Sequence, residues 1–297
     1  MYIKFITMYS KLLFQYGKNN CGPVISGKLT TCLLAGSFSA STLTISMASS
    51  LSNVAKTLKT PFVGAFQMLS DPLLTEHYAN LGFGAVLIDQ QHGLLDERTA
   101  FECVQRLEKF PSCFPIIRVC DNSTALISRA LDAGACGIIA PMINNLEDAK
   151  KLVDQCRYAP AGKRSWGPTR ALIVDAGTEQ ANDYVKVFAM IETAEAIQNL
   201  DSILDLEGLD GAFVGPSDLS ISLGVAPSGS PTDPTVVAAI RKVLEGCRKR
   251  GKLSMLYCGD KERAKESLAE GWSGVFPGAD IGWMMAAAKE YAQIVKD

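Results

Sequence analysis

The chain has 297 residues, with 29 basic against 31 acidic side chains and a formal net charge of −2. That length accommodates one large α/β domain, since α/β barrels run to about 250 residues as a single unit. The charges are nearly balanced and scattered, which excludes a nucleic-acid footprint or a lipid-facing stripe; the expected partner is a small molecule, with no nucleic acid and no membrane.

Residues 1–50 stand apart, with four lysines, no acid and no arginine; the first acidic residue is Asp71. This basic, hydroxyl-rich stretch reads as a disordered, leader or spurious extension, with Met47 a candidate true start. The missing arginine argues against a transit peptide, and the apolar pieces are too short and interrupted to span a membrane. No function is placed there. The expected organisation is an extension over residues 1–50 and a barrel domain over residues 51–297, in the cytoplasm, or in the mitochondrion if residues 1–46 are a leader.

Nine cysteines are present, with no C-x-x-C pair among them. Several fall inside apolar runs, as Cys136 does, so they read as reduced packing residues and not as a disulfide framework or a zinc site. No cysteine neighbours a plausible base, which argues against a catalytic thiol. The only histidines are His77 and His92.

From residue 51 onward, short apolar runs alternate with amphipathic stretches. Strands are predicted over residues 62–66, 85–88, 115–119, 137–140, 187–191, 211–214, 253–256 and 274–276. Helical periodicity covers residues 72–81, 97–109, 123–133, 146–157, 234–250 and 261–269, and residues 281–295 follow the last strand. Gly82, Gly134, Gly251 and Gly271 stand where a helix C-terminus turns left-handed. Eight strand–helix units with no obvious linker predict a closed (β/α)8 TIM barrel. No G-x-G-x-x-G follows the first strand, so the dinucleotide fingerprint is missing. Residues 158–181 break the rhythm; with Lys163, Arg164, Trp166 and Arg170 they are expected to form a substrate loop above the active edge or a subunit contact.

In a TIM barrel the C-terminal strand ends share one mouth, where active sites form. Asp89-Gln90-Gln91-His92 follows the second predicted strand, Arg118 lies at the end of the third, Glu192 follows the fifth and Asp218 lies just past the sixth. Each alone has an ordinary reading: a helix cap for the acids, a salt bridge for Arg118, a structural role for His92. Together they supply a carboxylate pair suited to a hard divalent cation (Mg²⁺, Mn²⁺ or Co²⁺), a fixed positive charge and a titratable base. The chemistry such a set suits is enolate formation from a 2-oxo acid, with the cation as Lewis acid. Arg118 would stabilise the oxyanion, His92 would move the proton, and Asp89 would orient its imidazole. The Gly215-Pro216-Ser217 turn offers backbone N–H groups to a substrate carboxylate. No lysine occupies an equivalent strand end, which argues against a Schiff-base aldolase.

The motifs Val86-Leu87-Ile88-Asp89-Gln90-Gln91-His92-Gly93, Ile139-Ala140-Pro141-Met142, Arg157-Tyr158-Ala159-Pro160-Ala161-Gly162-Lys163-Arg164, Met190-Ile191-Glu192-Thr193 and Val214-Gly215-Pro216-Ser217-Asp218 occur in this order. In them the chain resembles the 4-hydroxy-2-oxoheptanedioate aldolase family, metal-dependent pyruvate aldolases that include 2-dehydro-3-deoxyglucarate aldolase and macrophomate synthase. The resemblance implies Glu192 and Asp218 as metal ligands, Arg118 on the pyruvate enolate, and His92 with Asp89 as base and orienting partner. It also implies a last helix exchanged between subunits, in a homo-oligomer built as a trimer of dimers. Two positions depart from the pattern. Gln91 replaces an acid beside His92, and Met190 replaces a glutamine at the substrate-binding wall. The expected reaction is cleavage or formation of a 4-hydroxy-2-oxo acid from pyruvate and an aldehyde, by a class II (metal-dependent) aldehyde-lyase. An oxaloacetate decarboxylase or enolate-capturing synthase would use the same residues. A thioester lyase is disfavoured by the lack of a basic cluster for coenzyme A phosphates, and a non-catalytic 2-oxo acid-binding barrel by the presence of all four key side chains.

Overall fold

Short apolar strands, several opened by glycine and each followed by an amphipathic stretch, can bury both faces only by pairing in parallel beneath a coat of helices. The structure, a computed structural model, describes residues 57–167 and 177–294; the extension expected over residues 1–50 lies outside them. Eight strands close a parallel barrel in sequence order: β1 Phe62–Gln67, β2 Ala85–Asp89, β3 Phe114–Arg118, β4 Gly137–Ala140, β5 Lys186–Ile191, β6 Gly211–Val214, β7 Leu253–Cys258 and β8 Gly274–Pro277. Pairing of Phe62 with Gly274 and of Val63 with Val275 completes the ring.

The principal helices are α1 Pro72–Asn80, α2 Glu97–Leu107, α3 Thr124–Asp132 and α4 Leu146–Cys156; after β4 and β5 come the shorter α5 Thr178–Tyr184, α6 Ala194–Gln198 and α7 Leu200–Leu204. Then follow α8 Pro216–Ser222, α9 Pro234–Lys249, α10 Lys261–Glu270 and α11 Asp280–Tyr291. Asp71, Asp96, Asn145, Asp233 and Asp260 cap their helices by accepting first-turn N–H groups. The four glycines expected to end helices all take positive φ. Strand and long-helix boundaries fall within a few residues of those predicted.

Inside the barrel, side chains from alternate strands meet in layers. Phe213 of β6 and Phe276 of β8 stack edge-on with centroids 5.6 Å apart. Toward the mouth, the odd-numbered strands contribute Phe66, Arg118, Met190 and Tyr257. The Arg118 guanidinium lies 5.0 Å over the Phe66 ring, its Nη1 is 3.7 Å from Met190 Sδ, and the Phe66 and Tyr257 rings meet edge-on at 5.4 Å. These four side chains form the floor of the mouth.

Residues 158–167 do not lie above that mouth. Arg164 sits over the Tyr158 ring and its Nη2 donates to Asp132 at the end of α3, while Lys163 pairs with Asp154 near the end of α4. Helix C-termini in a barrel point to the N-terminal ends of the strands, so this part of the expected substrate loop belongs to the base. The reason is local: Arg157 and Tyr158 leave α4 at that end, where Arg157 donates to Val185 and Gly208 carbonyls and to Asp210. Residues 168–176 of the segment, Arg170 included, lie outside the described residues.

The last helix packs mainly through its first turn. Trp283 stacks on Phe83, but residues 284–294 are exposed, with Met285 at 60% and Tyr291 at 72%.

Candidate active site

β2 ends in Asp89, which is fully buried. A lone buried carboxylate would be costly, and here it is matched by Arg118 at the end of the adjacent β3. Arg118 Nε donates to Asp89 Oδ1 at 2.7 Å and Nη2 to Oδ2 at 2.8 Å, a two-pronged pairing that fixes the guanidinium plane. The same carboxylate accepts the backbone N–H groups of Gln91 and His92 at 3.1 and 3.3 Å. Asp89 therefore reaches His92 through the backbone, and the expected contact with the imidazole is not among its bonds. Its orienting work is done on Arg118 and on the loop. The reason is proximity: the strand register places Arg118 directly opposite Asp89, so the guanidinium claims both oxygens.

The loop turns sharply at Gly93, where a Cβ would lie 2.2 Å from the Asp89 carbonyl oxygen. Only glycine permits that approach. His92 is left exposed at the rim, while His77 lies in the last turn of α1.

Glu192 follows β5 and is 1% exposed. Its Oε1 accepts the Met142 backbone N–H at 2.8 Å. Met142, in the loop after β4, adopts a left-handed φ of 56°, an uncommon state for a side chain of this size. Burial pushes the Glu192 carboxyl up to about 7; the Met142 N–H opposes this, the negative charge of Asp218 adds to it, and the positive charge of Arg118 opposes it. Asp218 lies exposed in the first turn of α8. Gly215, the N-cap of α8, is pressed against both neighbours: a Cβ there would lie 2.5 Å from Met190 Cε and 2.9 Å from Glu192 Oε2. Pro216 is buried and Ser217 half-buried at the start of the same helix.

A buried carboxylate held near neutrality beside a second carboxylate is electrostatically incomplete. Glu192 Oε2 accepts no hydrogen bond from the described residues, so it is free to bind a cation. Those residues contain no group of three or more His, Cys, Asp or Glu side chains arranged to hold a metal. A pair of carboxylates suits a hard ion such as Mg²⁺, which keeps water and substrate oxygens in its remaining positions. The residues present therefore fit a divalent metal.

The seven described cysteines are free, and burial pushes the thiols of Cys103, Cys247 and Cys258 up to about 11 and those of Cys113 and Cys156 up to about 12, as packing residues require.

Residues 63–287 match the family model described as HpcH/HpaI aldolase/citrate lyase. The chain belongs to the HpcH/HpaI aldolase/citrate lyase family. Within it, the chain is 38% identical over 232 residues to a hydroxypyruvate/pyruvate aldolase of Rhizorhabdus wittichii, covering 77% of this chain and 92% of that protein. It is 35% identical over 237 residues to a 4-hydroxy-2-oxo-heptane-1,7-dioate aldolase of Shigella flexneri, covering 78% and 88%. Among solved structures, a family member from Burkholderia cenocepacia superposes with a TM-score of 0.74 at 26% identity, covering 85% of this chain and 99% of that one. A citrate synthase superposes with a TM-score of 0.72 at 30% identity, covering 80% and 94%. This member of the HpcH/HpaI family is thus a TIM-barrel enzyme of the aldehyde-lyase class.

Sequence reasoning brought Asp89, Arg118, Glu192 and Asp218 to one mouth, and they meet there through bonds or mutual charge. It gave Met142 no place beyond a motif, and it did not single out two side chains that line the same mouth, Phe66 and Tyr257. The signal for the last two was available: each stands late in its strand, at the parity of an inward-facing residue.

Proposed function

We propose that residues 51–297 form a divalent-metal-dependent carbon–carbon lyase domain that works through a pyruvate enolate. The preferred reaction cleaves a 4-hydroxy-2-oxo acid to pyruvate and an aldehyde, or runs in the condensing direction. The observation that carries this reading is the combination of a buried Glu192 held near neutrality beside Asp218 and an Arg118 locked in plane by Asp89. Substrate classes named for the aldolase relatives point the same way.

Glu192 and Asp218 would hold Mg²⁺, Mn²⁺ or Co²⁺. Such an ion, when bound, supplies Lewis acidity that polarises the keto group of a 2-oxo acid. Arg118 has spent Nε–H and one Nη2–H on Asp89, and its Nη1 meets only the weak acceptor Met190 Sδ. Its remaining donors are therefore available to the oxyanion that develops on C2. Ser217 and the backbone of the Gly215-Pro216-Ser217 turn would take the substrate carboxylate, with Met190 as an apolar wall. In cleavage, His92 takes the proton from the C4 hydroxyl as the C3–C4 bond breaks and its electron pair moves into the C2 carbonyl. The aldehyde leaves, and the same proton returns to C3 to give pyruvate.

A second reading has the enolate arise by loss of carbon dioxide from oxaloacetate, with capture by another electrophile. The same side chains, Glu192, Asp218, Arg118 and His92, would serve it.

The exposed apolar residues of α11 support an exchange of this helix between two copies, in a homo-oligomer assembled as a trimer of dimers. No helix among the described residues is long and apolar enough to cross a membrane; the reading places the enzyme in the cytoplasm, or in the mitochondrion if residues 1–46 act as a leader.

The test is release of pyruvate from a 4-hydroxy-2-oxo acid, followed with Mn²⁺ and then with EDTA. Turnover that needs the ion supports the reading; pyruvate release that is indifferent to EDTA removes it.

A further inference from the structure

One buried carboxylate takes no part in the reaction as described. Asp280, the first residue of α11, is buried. A charge taken out of water must be answered by hydrogen bonds, and here backbone N–H groups answer it. Oδ1 accepts the Met68 N–H at 3.0 Å and the Ile281 N–H at 2.7 Å, while Oδ2 accepts the Met68 and Leu69 N–H groups, each at 3.1 Å. The N-terminal dipole of α11 favours the negative charge as well.

Met68 and Leu69 open the loop that follows β1 at the mouth. Asp280 holds the N–H groups of this loop, and Gln67, the fully buried last residue of β1, holds its carbonyls: Nε2 donates to Leu69 at 3.1 Å and to Asp71 at 2.9 Å. Thr75 Oγ1 donates to Gln67 Oε1 at 2.6 Å, which fixes the way the carboxamide faces. The Met68 carbonyl stands outside this clamp. It accepts the Leu94 N–H at 2.8 Å, across to the loop after β2, and a Cβ on Gly93 would lie 3.1 Å from Met68 Cα. His92 is therefore anchored on both sides. The Asp89 carboxylate takes the Gln91 and His92 N–H groups, and the Met68 carbonyl takes that of Leu94. Arg118 sets the first anchor and Asp280 the second. An imidazole exposed at the rim is placed chiefly by its backbone, so both anchors decide where it points.

We propose that Asp280 is a positioning residue: it holds the β1 loop so that the Met68 carbonyl fixes the His92 turn, and it thereby ties the seating of the last helix to the base. The role given to His92 rests on the enolate reading above. Asp280→Asn keeps the shape but offers one acceptor oxygen in place of two, so its NH₂ group must face a backbone donor.

The test is a double-mutant cycle. With Mn²⁺, Asp280→Asn should lower kcat for pyruvate release from a 4-hydroxy-2-oxo acid about tenfold, while the Kd values for Mn²⁺ and for pyruvate stay within about twofold. In a His92→Ala background the same change should lower the residual kcat by less than about twofold, because the group it positions is gone. Asp280→Ala, which removes the carboxylate without opposing two donors, should give the same pattern and serves if the amide impairs folding. The chain has two histidines, so His92→Ala assigns their imidazole signals by NMR; Asp280→Asn should move the His92 signal and leave that of His77 in place. An additive loss in the His92→Ala background overturns the assignment, as does a His92 signal that stays put or a loss that vanishes when kcat is counted per folded molecule. Wild-type protein that releases no pyruvate with Mn²⁺ would overturn the enolate reading instead, and the His92 signal then decides alone whether Asp280 sets the turn.

Discussion

The two ends of the barrel use the same kinds of charged residue to opposite effect. At the base, Arg157 donates to two carbonyls and Asp210, Lys186 joins Asp210, and Lys252 donates to the Leu206 and Leu209 carbonyls. At the mouth, Asp89 and Arg118 satisfy each other, but Glu192 keeps an oxygen free and shares its surroundings with Asp218. Saturated pairing makes a scaffold; unsaturated pairing leaves a site that a ligand must complete. The enzyme's stability should therefore depend on the base and its chemistry on the mouth.

The largest effect expected from this contrast is on turnover. Glu192→Ala or Asp218→Ala should lower kcat by at least about a thousandfold and abolish Mn²⁺ binding, measured by calorimetry, with little change of melting temperature: Asp218 is exposed, and loss of the buried Glu192 carboxylate relieves a desolvation cost that offsets the lost bond from the Met142 N–H. A fully active variant would remove the site.

Breaking the base should do the reverse. Arg157→Ala leaves Asp210 half-buried with Lys186 as its one remaining ion-pair partner among the described residues, and is expected to cost about 3 kcal/mol of stability in chemical denaturation while kcat per folded molecule stays within twofold. A comparable loss of kcat would erase the distinction between the two ends.

Asp89 sharpens the comparison because it is saturated yet belongs to the mouth. Asp89→Asn keeps the shape but loses the charge that fixes Arg118. The expected result is a fall of about 10- to 100-fold in kcat/KM, with rising KM for the oxo acid. An effect on melting temperature alone would return Asp89 to the scaffold.

The smallest effect is on pH dependence. The folded pKa of Glu192, about 7, lies above its ordinary value of 4.5. The folded protein therefore holds this proton more tightly than the unfolded chain. The stabilisation is complete below about pH 4.5 and is lost as pH rises through about 7. Without metal, the contribution should fall by roughly 1–3 kcal/mol between pH 5 and pH 8. Glu192→Gln should flatten this slope in thermal melts, and Mn²⁺ should restore the wild-type stability at the upper end.

Much of this was readable from the chain because barrel geometry turns sequence position into location. A strand-sized run ending in Glu192 or Arg118 puts that residue at the mouth once the sheet is closed. Helix ends were equally legible where Asp71, Asp96 and the glycines Gly82 and Gly134 carried the stop and start chemistry. Three features were not. The carboxylate of Asp89 could have served His92 or Arg118, and only the β2–β3 register decides for Arg118. The segment over residues 158–181 reads as a substrate loop or subunit contact because it is long and basic, yet the end of the barrel its first part occupies depends on which helix terminus it leaves. Tyr257 was hidden inside an apolar run, and its place in the floor of the mouth becomes visible only once Phe66 and Arg118 are seen beside it.

The central claim is that the mouth makes a pyruvate enolate with a divalent ion held by Glu192 and Asp218. It is tested most directly by NMR, following exchange of pyruvate methyl protons into D₂O with Mg²⁺ or Mn²⁺ present and then with EDTA. Exchange that requires the ion and disappears in Glu192→Ala is the predicted result. Exchange that persists in EDTA, or none under either condition, would contradict it.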